Sequence, residues 1–302
     1  MTILKDTAKG KKVAELLYNA FSTTGILGRT DMPEDLAPRE VEKGSLAHIL
    51  FLTLTVSIDY QRDAVALWRS SRQTFEDTAT RYLLDPKSLH DASPRQITTD
   101  MQIHKLSKKP KKDAHIWRTV GVTFFKKWGG DPRNFLQSCN WDSLAILERL
   151  KEDTHIYNKR SVTDYPYLRG PKIGPLWLRM LRDNAGIEQL KALDKVPIPV
   201  DIHVARATLA TGVIRGNVKA QLYDLFEDIR TAWAESVKGL NVKDRPMIAL
   251  DVDEPLWHLS KYGCTYRDRE NGVCPVSGQC EARELCVKGK IAIEKSFLDL
   301  DT

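Results

Sequence analysis

The sequence predicts an all-α protein. Apolar residues recur with the 3.6-residue period of a helix along almost the whole chain, alternating runs of β-branched residues are nearly absent, and no internal repeat or low-complexity segment interrupts the pattern. KKVAELLYNAF (11–21) is amphipathic and opens the series. Residues 23–45, rich in glycine, proline and charge, form the clearest connector. GSLAHILFLTLTVS (44–57) is apolar around its full circumference, the pattern of a wholly buried helix. Further helical patterns cover 60–76, 95–106, 113–128, 142–151 and 175–184. The prolines of VPIPV (196–200) forbid helix until Asp201, and the period then resumes over 202–212, 217–237 and 281–286.

The 302 residues suffice for one large or two modest domains, and 28% charged with 8% aromatic residues is an ordinary globular balance rather than a disordered one. The longest apolar run, LAHILFLTLTV (46–56), is too short to cross a bilayer. The N-terminal MTILKDTAKGKKVAELL has lysines but no apolar stretch before a cleavage site, so no signal peptide is expected. A cytoplasmic protein with no membrane partner follows, and its thiols should be reduced. The runs KGKK (9–12) and KLSKKPKK (105–112) have the ordinary form of solvated surface, and the net charge of +6 also fits an enzyme acting on an acidic polymer.

Four of the five cysteines, Cys264, Cys274, Cys280 and Cys286, fall within CTYRDRENGVCPVSGQCEARELC (264–286). Reduced and clustered thiols point to a metal site. Zinc modules usually take their ligands in C-x2-C pairs, whereas the gaps here are nine, five and five residues. Wider gaps suit the four corners of a [4Fe–4S] cluster better than a single Zn ion, which remains the alternative. Cys139, alone in LQSCNWDSL, reads as a buried small hydrophobe.

Two further segments carry chemistry. YPYLRGPKIGPLWLRML (165–181) places two glycines between apolar residues and a run with Pro175 at a first helical position. That describes a tight helix–hairpin–helix turn whose following N–H groups can hold a phosphate, though such turns also join core helices with no further role. In PIPVDIHVARATLATG (197–212), Asp201 opens a helix whose Val204, Leu209 and Ala210 face the core. It can serve as a simple N-cap, worth about 1 kcal/mol. The same position holds a carboxylate anionic for catalysis, because the helix dipole favours negative charge there.

The order of these pieces resembles the helix–hairpin–helix (HhH-GPD) DNA glycosylases of the endonuclease III type. The matching residues are Leu168, Gly170, Ile173 and Gly174 in the hairpin and Val200, Asp201 and His203 after it. PLWHLSKYGC (255–264) and the final five-residue cysteine gap match the approach to the iron–sulfur loop. The hairpin GPKIG, the stretch from Gly174 to Asp201 and the first two cysteine gaps are longer than the usual pattern, which places the chain in a divergent branch. The resemblance implies a two-domain architecture: a helical-barrel domain over 44–195 and a second helical domain built from both termini, 1–43 and 196–302, with a [4Fe–4S] loop. It also implies a monomeric, nucleoid-associated enzyme of base excision repair, or of modified-base removal, that acts on double-stranded DNA with a damaged or modified base.

In that setting Asp201 is the catalytic carboxylate, stabilising positive charge on the sugar and activating water. Gly170, Lys172 and Gly174 hold the phosphate backbone. Cys264, Cys274, Cys280 and Cys286 bind the cluster, which pins its loop so that Arg267, Arg269, Arg283, Lys288 and Lys290 grip phosphates. SIDYQRD (57–63) falls where the family probes the opened duplex, which singles out Asp59, Tyr60 and Gln61; the start of a surface helix is the alternative for that segment. Strand-cutting members carry a lysine where this chain has Leu176, so the resemblance implies a monofunctional glycosylase. Use of Lys172 as a repositioned lyase nucleophile is the alternative, and a non-catalytic DNA-binding sensor is the second.

Overall fold

The computed structural model of the chain describes residues 2–21, 23, 25–28, 31–157 and 159–302. It corrects the all-α expectation. Beside the helices stand a four-stranded antiparallel sheet and two two-stranded ribbons, so the architecture is mixed and helix-rich. Three positions of the 23–45 connector, Thr24, Arg29 and Thr30, lie outside the described residues. Among the described residues no helix is long and apolar enough to cross a membrane.

The chain divides into two compact units, one continuous over 31–193 and one made of 1–30 with 194–302. The sequence reading placed these boundaries at 43/44 and 195/196. The first falls earlier because residues after 30 are tied into the continuous unit: Glu34 pairs with Arg179, both buried, and Asp35 accepts from Asn184 at 2.7 Å.

In the continuous unit the wholly apolar segment is the helix Leu46–Ser57, capped by Ser45 and buried from His48 onward. Helices Pro86–Asp91, Pro94–Asp100, Pro110–Trp128 and Pro132–Ser138 each begin on proline, whose missing N–H is harmless in a first turn. Ser143–Glu152 and Ile173–Asp183 follow, separated by an antiparallel ribbon of Thr154–Tyr157 with Arg160–Thr163. Trp68, Trp117 and Trp177 are fully buried. The indole N–H of Trp177 donates to Thr53 Oγ1 at 2.9 Å, which satisfies the polar atom of a large core side chain.

In the discontinuous unit the sheet order is Thr2–Lys5, Ile214–Gln221, Phe297–Asp301, Lys290–Glu294, all antiparallel. Helices Thr7–Ala20, Ile202–Ala210, Phe226–Ser236 and Asp253–Tyr262 complete it. The helix expected over 217–237 is therefore a strand to Gln221, a 3-10 turn over 222–225 and a helix only from Phe226. The misreading has a physical cause. Buried Ile214, Val218, Leu222, Leu225 and Ile229 recur every three or four residues, and a spacing of four fits a strand face as well as a helix face. Residues 281–286, also expected to be helical, form only a 3-10 turn over Arg283–Leu285.

Candidate functional site

In the discontinuous unit, Asp201 is the N-cap of Ile202–Ala210. Its Oδ1 accepts from His203 N at 2.8 Å and Val204 N at 3.1 Å. The proline-led approach leaves Asp201 extended, as a cap requires, and Val204, Leu209 and Ala210 are buried as expected. One turn on, Arg206 Nη1 and His203 Nδ1 both meet Ser260 Oγ, at 3.3 and 3.2 Å. Burial pulls the Arg206 guanidinium below its usual range, with nearby Arg269 adding to the shift and Cys264 and Asp201 opposing it.

The helix ends beside the cysteine loop, where Val287 N donates to Ala210 O at 2.9 Å. Cys264 and Cys280 are buried, Cys274 is half-buried and Cys286 exposed, and all are free thiols. Burial pushes Cys264 far up, and Cys286, Cys280 and Cys274 each push it further. Burial likewise raises Cys280 to about 11, against a backbone hydrogen bond from Ala282 and with help from Cys286 and Cys274. Cys286 rises as well, because its sulfur is enclosed although the residue as a whole is exposed, and Cys274 adds to the shift. Cys264 therefore lies near enough to the other three thiols to feel each of them. Among the described residues no three or more His, Cys, Asp or Glu side chains converge tightly enough to hold a metal ion as they stand.

Polar turns shape much of this loop. Asp268 Oδ1 accepts from Glu270 N and Asn271 N, both at 3.0 Å, and Asn271 Oδ1 accepts from Val273 N at 2.8 Å. Gly272 has φ +79°, and a Cβ there would lie 2.4 Å from Arg267 Nη2. That guanidinium is turned inward, donating to Val287 O at 3.1 Å and Gly289 O at 3.0 Å. It clasps both ends of the loop.

The five cations expected to grip phosphates are thus placed differently. Arg267 is 9% exposed and engaged with carbonyls. Lys290 is half-buried between Glu270 and Asp299, at 3.0 and 3.1 Å. Arg269 and Arg283 are exposed and pair with Glu294 and Glu284, contacts worth little in water. Lys288 is exposed. Arg206, Arg267 and Arg269 also line a cavity of ≈ 80 Å³ with Cys264 and Thr265. Three guanidinium groups beside a thiol suit a centre that becomes anionic.

In the continuous unit, the glycine-rich turn precedes the helix Ile173–Asp183. The helix starts two residues before the expected Pro175, so that proline is its third residue, where an N–H would still lack a partner within the helix. Gly170 N donates to Tyr167 O at 2.8 Å, and Gly174 N to Gly170 O at 3.0 Å. A Cβ on Gly174 would meet Leu147 Cδ2 at 2.8 Å and the backbone Leu168 O at 3.1 Å, so glycine lets the turn and Ser143–Glu152 pack closely there. Lys172 stands at the cap position, and no side chain caps the helix. Leu176 is 8% exposed, on the buried side.

The segment 57–63 reaches the same unit's lysine run. Asp59 is buried and Gln61 exposed. Tyr60 stacks on Tyr167, centroids 4.2 Å apart with planes 25° from parallel, and its hydroxyl donates to buried Asp113. Burial first, and that carboxylate second, push the Tyr60 phenol well above its usual range. Lys108 Nζ donates to Gln61 O at 2.9 Å and Lys109 Nζ to Gln61 Oε1 at 2.8 Å. Sequence reasoning missed Tyr167, Arg206 and the buried Glu34–Arg179 pair. Their only sequence signals are an aromatic just before the hairpin and charges set in otherwise apolar runs.

No family model matches the sequence, and no curated protein matches it.

Proposed function

We propose that the protein is a DNA N-glycosylase that extrudes a damaged or modified base from duplex DNA and hydrolyses its N-glycosidic bond. One observation supports this reading most. The helix that Asp201 caps carries a carboxylate at its start and meets a four-cysteine loop at its end, which brings together two of the pieces whose order carries the resemblance to the endonuclease III type.

The chemistry asks little more of the residue than its position provides. As the C1′–N bond breaks, the pair of electrons leaves with the base and positive charge builds on the sugar. A carboxylate whose other demands are met by two amides and a helix dipole stays ionised and stabilises that charge. Water then bonds to C1′; its proton passes through the carboxylate and ends on the departing base. With Leu176 buried on its helix, no amine stands at the position that strand-cutting enzymes use, so the product is an intact strand with an abasic site.

Cys264, Cys274, Cys280 and Cys286 are the donor set for a [4Fe–4S] cluster. Four thiols and no histidine or carboxylate make a set suited to iron and sulfide, and the arginines lining the neighbouring cavity offset the charge that such a centre carries. Its part is to fix the loop, on whose surface Arg269, Arg283 and Lys288 can exchange weak partners or water for phosphates.

The test is a panel of duplexes, each with one lesion or modified base, incubated with the protein and then heated in alkali. Release from at least one duplex by wild type, abolished in Asp201→Asn, supports the reading. Release unaffected by that substitution sinks it.

A further inference from the structure

We propose that the Tyr60–Tyr167 stack, with Lys109 and Lys112 beside it, is a binding platform for an unpaired base of a nucleic-acid strand. The inference rests on the nucleic-acid reading above but not on base excision.

Three sets of observations converge on it. The stack is built from two loops far apart in sequence, and both adopt backbone that side chains avoid: Tyr167 has φ +63° and Gln61, next to Tyr60, φ +50°. Such conformations persist where the surroundings force them, and they gather at functional sites. Here the forcing is visible. Tyr60 is tethered through its hydroxyl to Asp113, which also accepts from Ser107 Oγ, Lys108 N and Lys109 N at 3.0, 2.8 and 2.8 Å, and Gln61 is held by two lysines. Both rings nevertheless remain partly open to solvent.

The second set concerns charge. Lys108 and Lys109 precede the helix Pro110–Trp128, and Lys111 and Lys112 sit in its first turn. Among the described residues none of these four ammonium groups pairs with a carboxylate. Cations at a helix N-terminus oppose the dipole, so four together raise a positive potential that a polyanion relieves. Buried Asp113, in the same turn, offsets only part of that charge.

The third is the relation of charge to rings. Lys109 Nζ lies 5.1 Å from the Tyr60 centroid. Lys112 Nζ is almost equidistant from both rings, 5.0 Å from Tyr60 and 4.8 Å from Tyr167, so it stands beside the stack rather than over its outer face. Lys109 lies over Tyr60 alone, so a third flat ring would extend the stack from the Tyr167 side, with Lys112 placed to meet a neighbouring phosphate. Stacking on aromatic side chains within a basic track is how single strands are bound without regard to sequence.

The experiment uses the whole protein and two short undamaged strands of equal length, one of ordinary nucleotides and one with base-free residues at its centre, read by fluorescence anisotropy. The platform predicts tighter binding of the base-bearing strand. Tyr167→Leu should weaken that strand about tenfold and leave the base-free strand unchanged, with Tyr167→Phe near wild type. Lys112→Ala should weaken both strands and lower the salt slope by about one. Equal wild-type affinity for the two strands overturns the proposal, whatever the variants do, and so does a Tyr167→Leu loss shared by both. Duplex binding with no preference for bases would remove the platform alone. Binding of neither strand nor duplex would remove the nucleic-acid reading with it.

Discussion

The helices Ile202–Ala210 and Ile173–Asp183 begin in opposite ways. The first opens on Asp201, whose carboxylate takes two of the amides at its start. The second opens on Lys172 with no side-chain cap, behind a turn tightened by Gly170 and Gly174. A helix start already holding its own anion has little to offer a phosphate, but its carboxylate can face a developing cation. The second start keeps few amides to offer, since Gly174 N is taken by Gly170 O and Pro175 has none, so what it presents to an anion is its dipole with Lys172 nearby. On the proposed reading the comparison divides the tasks: one N-terminus carries a carboxylate for chemistry, and the other carries a lysine for the strand's backbone.

The largest expected effect tests the first half. Asp201→Asn keeps a good capping residue, so thermal stability should change little. Base release should fall by roughly 10²–10³-fold, the scale of removing one charge-stabilising group, while duplex binding is retained. Near-normal release with the helix intact would leave Asp201 only a cap.

Next in size is the loop at the far end of that helix. Cys280→Ser, at a buried position, should yield colourless protein without iron or sulfide and with weakened duplex binding. Zinc without sulfide in the wild type would replace the cluster by a single ion.

The second half of the comparison predicts a smaller change. Lys172→Ala should lower the salt slope of duplex binding by about one, with no change in product. Borohydride should trap no covalent complex with wild type. Efficient trapping that Lys172→Ala abolishes would turn this helix start into the seat of a lyase nucleophile.

The smallest effect sharpens the comparison with a third helix start. Near the N-terminus of Leu46–Ser57, His48 Nδ1 accepts from Gly44 N at 3.1 Å. Burial, and then Lys43, pull its pKa below the usual histidine value. The neutral ring is the one that fits, so its contribution is complete above the unfolded value near ~6.5 and is lost as pH falls from there through the lowered folded value. The thermal midpoint should drop between pH 7 and pH 5, and His48→Asn should flatten that drop.

What the sequence makes legible depends on the kind of force involved. Leu46–Ser57 is readable because burial on all sides leaves a composition no other element has. Asp201 is readable because proline and a cap residue announce a helix start locally. The strands Lys290–Glu294 and Phe297–Asp301 alternate in KIAIE and FLDLD, yet each is five residues long and stable only by pairing. Ile214–Gln221 is worse, since its fully buried residues, Ile214 and Val218, fit either period. The Tyr60–Tyr167 stack could not be read at all: aromatics 107 positions apart meet only through the packing of the unit between them.

The sheet that joins strands 2–5, 214–221 and 297–301 also sets the order of events at synthesis. The unit 31–193 is continuous and can close while the rest of the chain is unmade. The segment before it cannot. Val13, Ala14 and Leu17 have no core to enter until residues beyond 194 emerge, and the strand paired with Ile214–Gln221 on its other edge comes only at 297. Counted from Leu17 to Asp194 at ~5–20 residues per second, the wait of that helix is roughly 10–35 s. For so long the helix Thr7–Ala20 carries an uncovered apolar face on the nascent chain, and there a chaperone would find purchase.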